Sequence, residues 1–351
     1  MKAVVLKEIG VIEVQDVPEP EPEPDQIKVK IAYAGICGSD PKIIAGLNRP
    51  TPREGAIGGP LKTPPPRPGV KIMGHEASGT IVQLGKDVSG NFKIGQKVAM
   101  DFRRTCGGCY YCSNKMAHFC EKVVNFSGVM ADYAVFPQGI VFPLPEELPL
   151  DFGAFLEPVS VAVHVLDRAQ LKTGDSVIFT GGGPIGLLIL QLAIKSGAAK
   201  VLVSEPVGEK RKLAKQLGAD VVVDPLKENL LDAANKLTGG RGFNVCIEAT
   251  GIPALAKQLI LLAEGCGTVV WVGTYPSGSD ASVPLDYMYS KELSIHSVRL
   301  APYSFPRAAE MLPKLDLKPL ITIYPLQDAI RAFEAHKTGK KVKVMLQPCP
   351  A

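Results

Sequence analysis

Thr180-Gly181-Gly182-Gly183-Pro184-Ile185-Gly186 follows the β-rich run Ser176–Phe179 and opens an apolar run, Leu187–Ile194, with the character of a buried helix. Strand, glycine turn and helix are the context in which G-x-G-x-x-G carries meaning. Gly181 permits the tight turn, Gly183 lets backbone approach a pyrophosphate, and Gly186 lets the helix lie close on the strand. The helix start at Pro184-Ile185-Gly186 then brings backbone N–H groups and the positive end of the helix dipole to the phosphates.

The next strand, Lys200–Ser204, ends in Glu205. This carboxylate stands about twenty residues beyond the turn, where a ribose-binding acid is expected. It suits a ribose diol and repels a 2′-phosphate, so NAD is favoured over NADP. Lys210 and Arg211 stand close enough to soften that preference. From 176 to about 290 the pattern continues as strand, helix, strand, helix. Strands are expected at 176–180, 200–204, 221–223, 244–248, 267–273 and 293–298, with helices between them. This predicts an α/β fold with a doubly wound parallel sheet.

The chain before this region is different. Ala3–Leu6, Val11–Val14 and Ile27–Ile31 alternate like strands, and Ala77–Gln83, Gln96–Met100, Asp132–Pro137 and Ile140–Phe142 extend the series. An all-β beginning of this kind fits a small barrel-like domain. The run Pro18–Pro24 excludes helix or central strand and reads as an extended connector. Leu150–Ala169 has helical periodicity, and two short helices are expected near 304–312 and 326–337. A final strand, Lys341–Leu346, could return to the first domain.

Composition excludes several classes. Of 351 residues, 46 % are hydrophobic and 21 % charged, as in ordinary globular proteins. A net charge of +4 without a basic stripe argues against a nucleic-acid partner. Met1–Leu6 runs straight into strand-like sequence without a signal-peptide core, and Pro184–Ile194 is too short to span a bilayer, so no membrane role is expected and the location reads as cytoplasmic. Eight cysteines in a reducing compartment suggest metal or redox chemistry before disulfides. Cys246, Cys266 and Cys349 read as ordinary thiols.

Cys106-x-x-Cys109-x-x-Cys112, followed by Cys120, is the sharpest signal after the glycine turn. Two-residue gaps let a loop fold back so that four sulfurs converge tetrahedrally on zinc. A closed thiolate set leaves no open position, so this site is expected to be structural. His118 lies inside the loop and reads as solvent-facing. A second set is dispersed: Cys37, His75, Glu76 and Glu157. Taken alone, each has a plain structural reading: a small buried thiol, a turn histidine, a helix-terminal charge. Three of them with water would make an open, catalytic zinc site.

The combination resembles the zinc-containing medium-chain alcohol dehydrogenases, nearest in pattern to the polyol branch of sorbitol, threonine and butanediol dehydrogenases. The resemblance rests on Gly35-Ile36-Cys37-Gly38-Ser39-Asp40, Gly74-His75-Glu76, the cysteine loop, Glu157–Val161, the glycine turn, Glu248-Ala249-Thr250-Gly251, Val272-Gly273 and Ser297-Val298-Arg299. It implies a GroES-like β-barrel catalytic domain over 1–155 and 292–351, and an NAD-binding Rossmann domain over 156–291. It implies two zinc ions, with Cys37 and His75 as catalytic-zinc ligands and Glu76 or Glu157 as the third. Ser39 resembles the hydroxyl that takes the substrate proton, and Arg299 a cleft residue contacting polyol oxygens or cofactor. Val272 and Val298 would lie along the nicotinamide, and Thr250 and Gly273 would belong to the cofactor site.

The expected activity is hydride transfer between NAD and a secondary alcohol, a polyol or diol, in a homodimer or homotetramer. Threonine, a polyol phosphate and a hydroxysteroid stay open as substrates, as does a catalytically silent nucleotide-binding relative. Two departures from the family pattern stand out. Lys42 occupies the position where a proton-relay histidine is frequent. Gly46–Ile72 is long, rich in proline and basic; it reads either as a solvated loop or as a lid favouring an anionic or bulky substrate.

Overall fold

The computed structural model describes residues 1–47 and 70–348. Most of the Gly46–Ile72 loop, and Cys349, fall outside these residues. The chain divides into two compact units, Met1–Glu157 with Phe305–Ala351, and Pro158–Ser304. The return to the first unit comes at Phe305 and not at residue 292. The reason is Ser294–Ser297, which pairs in parallel with Ala263–Trp271 and so stays with the second sheet.

The second unit is a six-stranded sheet in the spatial order Val221–Val223, Lys200–Ser204, Ser176–Thr180, Phe243–Glu248, Ala263–Trp271, Ser294–Ser297. Every pairing is parallel. The first strand in sequence thus sits third, beside the fourth, and the order of the sheet reverses between Ser176–Thr180 and Phe243–Glu248. This is the doubly wound arrangement, whose ligand crevice lies at the carboxyl ends of the strands flanking the reversal. Ser176–Thr180 is buried at every position, as a strand covered on both faces must be. Helix Pro184–Lys195 buries Gly186–Ala193 without interruption, so it is a core helix and not an amphipathic surface one. Ile178, Leu202, Val223, Phe243, Leu259 and Val269 form the core on one side of the sheet.

The first unit is built on a seven-stranded sheet. Along its path lie Ile321–Pro325, Lys343–Gln347, Gln26–Gly35, Glu76–Leu84, Lys97–Met100 and Val141–Pro143, with Tyr133–Pro137 also pairing with Gln26–Gly35. All pairings but the first are antiparallel. The last strand of the chain is therefore interior, pairing Met345 with Gly35 and Leu346 with Ala34. Ile27, Val29, Ile31, Ile81, Phe136 and Val344 pack the core against Ala329, Ala332 and Phe333 of helix Ala329–Lys337. The Pro18–Pro24 connector is strapped down by Lys28, whose buried ammonium reaches Glu19 at 2.7 Å and Glu21 at 3.2 Å.

The helical periodicity of 150–169 resolves into two helices, Leu150–Gly153 and Leu156–Ala169. Glu157 lies in the first turn of the second, and the boundary between the units falls just after it. Among the described residues no helix is long and apolar enough to cross a membrane.

Candidate active site

The cysteine loop rises from a two-stranded base, Arg103–Arg104 paired with Val124–Asn125, and the Arg103 guanidinium donates to the His118 carbonyl at 2.9 Å. The sulfurs of Cys106, Cys109, Cys112 and Cys120 lie within 4.8 Å of one another. The Cys106 N–H donates to Cys120 Sγ at 3.3 Å. Hydrogen bonds from the Cys112 and Glu121 N–H groups draw the Cys109 thiol down to about 6, whereas burial pushes Cys112 up to about 12. Backbone donors aimed at converging sulfurs are the environment a thiolate set needs, so the four residues fit a tetrahedral zinc. His118 is half-buried, its ring centroid 4.1 Å from that of Phe119, and not solvent-facing.

The dispersed set also converges. Cys37 lies in the turn between strand Gln26–Gly35 and helix Asp40–Ile44, His75 precedes strand Glu76–Leu84, and Gly35 pairs with Glu76 across the two strands. One ligand atom each from Cys37, His75 and Glu76 fall within 4.8 Å of one another. Asp40, which the sequence reading quoted without a role, organises this turn. One of its carboxylate oxygens accepts the Cys37 N–H at 2.8 Å and the other stands 3.6 Å from His75 Nδ1. A carboxylate behind a histidine fixes the ring of a metal ligand.

The surrounding field is anionic. Burial works against charging His75, yet the Cys37 sulfur and Asp40 hold its pKa well above the usual value. Burial lifts the Glu157 carboxyl to about 7, with Glu76 and Asp101 adding to the rise, and lifts Asp101 to about 6. Buried acids that repel one another around a thiol and an imidazole fit a divalent cation. Glu157 belongs to this field but is not one of the three residues whose ligand atoms converge. Glu76 carries a partner that sequence did not reveal: its carboxylate is bound by Lys343, both side chains sealed from solvent. Ser39 is half-buried at the N-terminus of helix Asp40–Ile44, where its side chain makes no capping bond.

In the second unit the glycine turn is shaped as its sequence requires. Gly181 has φ of +100°, and a Cβ on Gly186 would stand 2.0 Å from the Gly181 carbonyl oxygen. A Cβ on Gly183 would meet nothing within 4 Å, and Gly183 caps the helix without a side-chain bond. Open space over an uncapped helix start fits a phosphate. Glu205 is buried beside this turn, accepting the Gly182 N–H at 2.6 Å and the Val207 N–H at 2.8 Å. Arg211 is committed elsewhere, to Asp224 at 2.8 Å and to the Glu205 and Pro206 carbonyls, while Lys210 is buried. Thr250, Val272, Gly273, Val298 and Arg299 also belong to this unit. Val272 and Gly273 donate to the Glu248 carbonyl, and Val298 to that of Trp271.

Comparison with known families matches residues 184–314 to the zinc-binding dehydrogenase domain and residues 23–146 to the alcohol dehydrogenase GroES-like domain. The L-threonine 3-dehydrogenase of Pyrococcus horikoshii is 33 % identical over 288 residues, covering 78 % of this chain and 81 % of the relative. The D-arabitol-phosphate dehydrogenase of Enterococcus avium is 32 % identical, covering 91 % and 89 %. A Sinorhizobium meliloti chain described as a zinc-binding dehydrogenase, solved with NADP, superposes with a TM-score of 0.89 at 31 % identity over 99 % of both chains.

Proposed function

The chain belongs to the zinc-containing medium-chain alcohol dehydrogenase family, a family of oxidoreductases, and from that premise we propose that it transfers hydride between NAD and a secondary alcohol of the polyol or diol class. The observation that carries this reading is the convergence of Cys37, His75 and Glu76 within 4.8 Å inside an anionic, buried pocket. The residues would hold zinc there, and Cys106, Cys109, Cys112 and Cys120 a second ion. A zinc ion bound to Cys37, His75 and Glu76 or Glu157 supplies Lewis acidity toward an alcohol oxygen. The nicotinamide supplies the hydride acceptor.

The protein's own groups do the rest. Asp40 fixes His75 and the Cys37 backbone, so the pocket is set before substrate arrives. Lys343 binds Glu76, one of the three converging ligands, and Glu157, whose carboxyl burial lifts to about 7, is the other candidate carboxylate of the pocket. The Ser39 hydroxyl takes the substrate proton. In the other unit Gly183 leaves room for the pyrophosphate and Glu205 accepts the ribose hydroxyls. Commitment of Arg211 to Asp224 supports NAD, although the Sinorhizobium meliloti relative binds NADP.

The test is reduction of NAD or NADP, followed by absorbance of the reduced cofactor, with sorbitol, xylitol, butanediol, threonine, a polyol phosphate and a hydroxysteroid, before and after chelation. Chelator-sensitive NAD reduction with one polyol or diol is the expected result. Turnover of threonine alone would move the substrate to the amino alcohol class. Silence with only the cysteine loop metallated would overturn the catalytic reading.

A further inference from the structure

Glu248 ends the fourth strand of the cofactor sheet and is completely buried. In register it stands beside Thr180, the last residue of the first strand. The sheet order reverses between these two strands, so Glu248 sits at the mouth of the ligand crevice. An acid there is placed to face a ligand, yet every contact of its carboxylate turns inward.

Oε1 accepts the Thr250 N–H at 2.6 Å, the Thr250 hydroxyl, and the Gly251 N–H at 3.0 Å. Oε2 accepts the Tyr275 hydroxyl at 2.6 Å and a longer 3.2 Å contact from the Gly251 N–H. The Glu248 carbonyl accepts Val272 N–H at 2.8 Å and Gly273 N–H at 3.1 Å. One residue thus gathers two loops, 249–252 and 272–275.

The glycines leave no slack around it. A Cβ on Gly273 would stand 2.1 Å from Gly251 N and 2.6 Å from Glu248 Oε2; one on Gly251 would stand 2.7 Å from the Thr274 carbonyl oxygen. A Cβ on Gly181 would meet the Thr250 methyl at 2.9 Å, so the phosphate turn leans on the same assembly. Hydrogen bonds to a carboxylate in a dry site are strong and mutually reinforcing. Burial and the neighbouring Glu248 both push the Tyr275 phenol upward, so it stays a donor at any working pH.

We propose that Glu248 and Tyr275 are positioning residues for the nicotinamide half of the cofactor, holding Thr250 and the Val272–Gly273 loop without touching the ligand. The Thr250 hydroxyl donates to Glu248 and accepts the Ile252 N–H at 3.1 Å, so it has no proton left to donate to the cofactor. This inference rests on the nicotinamide-dependent reading of the site. The Glu205 carboxylate bonds to Gly182 and Val207, and the contact of Gly181 with the Thr250 methyl does not involve Tyr275, so loss of the Tyr275 hydroxyl should leave the adenosine diphosphate half in place.

The experiment is equilibrium binding of NADH and of ADP-ribose, which lacks nicotinamide, to the zinc-loaded wild type, Tyr275→Phe and Glu248→Gln. Tyr275→Phe removes one oxygen and should fold normally. It should weaken NADH by roughly ten- to hundredfold, as expected for one lost charge-assisted hydrogen bond, raise the KM for NAD in step, and leave ADP-ribose unchanged. Glu248→Gln, which cannot accept all four donors, should weaken NADH further. If Glu248→Gln does not fold, Tyr275→Phe decides alone. Unchanged NADH binding in Tyr275→Phe, or equal losses of NADH and ADP-ribose, would overturn the inference while leaving the cofactor reading intact. A wild type that binds neither ligand would overturn both.

Discussion

Lys343 and Glu76 form an ion pair sealed inside the first unit, joining residues 267 positions apart. Lys343 Nζ also donates to the Ile36 carbonyl at 3.2 Å. Burial works against the ammonium, but Glu76, with Cys37 and Glu157 close by, outweighs it and keeps the lysine charged. A buried pair is costly to break and need not be costly to replace, since removing one partner strands the other charge. Lys343→Met should therefore destabilise the protein by about 3–5 kcal/mol, and the double variant Lys343→Met with Glu76→Gln should recover much of that. Denaturant unfolding of the two singles and the double measures it; additive losses would refute the coupling.

Gly35→Ala tests the same junction without replacing a ligand or a charged residue. The added Cβ would stand 2.3 Å from Glu76 Oε2 and 2.7 Å from Lys343 Cε. Something must move, and overpacking of this kind costs about 1–3 kcal/mol. The expected outcome is a lower melting temperature together with reduced metal occupancy, read by elemental analysis.

Metal content separates the two zinc sites. The wild type should carry about two zinc ions per chain, each site holding one. Cys112→Ser should lose one ion and stability together, since structural zinc contributes folding free energy. His75→Ala should lose the other ion, with turnover, while the fold survives.

Gly186→Ala should damage the cofactor turn at its base, because its Cβ would lie 2.0 Å from a backbone oxygen that has no side-chain freedom. NADH binding should fall by at least tenfold, with a stability loss of about 1–3 kcal/mol.

Asp224→Asn should loosen Arg211, which Asp224 now holds at 2.8 Å. A partly exposed pair is worth about 0.2–1 kcal/mol, so the ratio of NADP to NAD in kcat/KM should rise up to about fivefold. An unchanged ratio would show that Glu205 alone governs the choice.

The parts of the site legible in the sequence are those written in local spacing. The glycine turn, the Cys106–Cys120 loop and the strand–helix alternation each declare themselves within a few dozen residues. What stayed hidden depends on distant pairing. Lys343 reads as an ordinary strand residue, because its partner lies on a strand brought alongside by the tertiary fold. Asp40 sat inside a quoted motif, yet only the structure shows it on both Cys37 and His75. Arg211 lies beside Glu205 as the spacing suggests, but its ion pair with Asp224 depends on a neighbouring strand end that the spacing does not show. The strand at 293–298 is legible in the sequence, but its parallel pairing with Ala263–Trp271, which moves the domain return from 292 to Phe305, is a tertiary fact.

The strand Lys343–Gln347 follows the whole of the second unit in sequence, yet it lies between Ile321–Pro325 and Gln26–Gly35 in the interior of its sheet. Gln26–Gly35 therefore waits through the synthesis of the second unit with one flank unzipped and the Glu76 carboxylate unanswered. The central sheet of the second unit, contiguous in sequence, can close meanwhile. Vectorial synthesis thus imposes a sequence of maturation: the nucleotide half first, the metal half only once residues 343–347 have been made. A nascent chain truncated before Lys343 would be a nucleotide-binding half joined to an unfinished metal pocket.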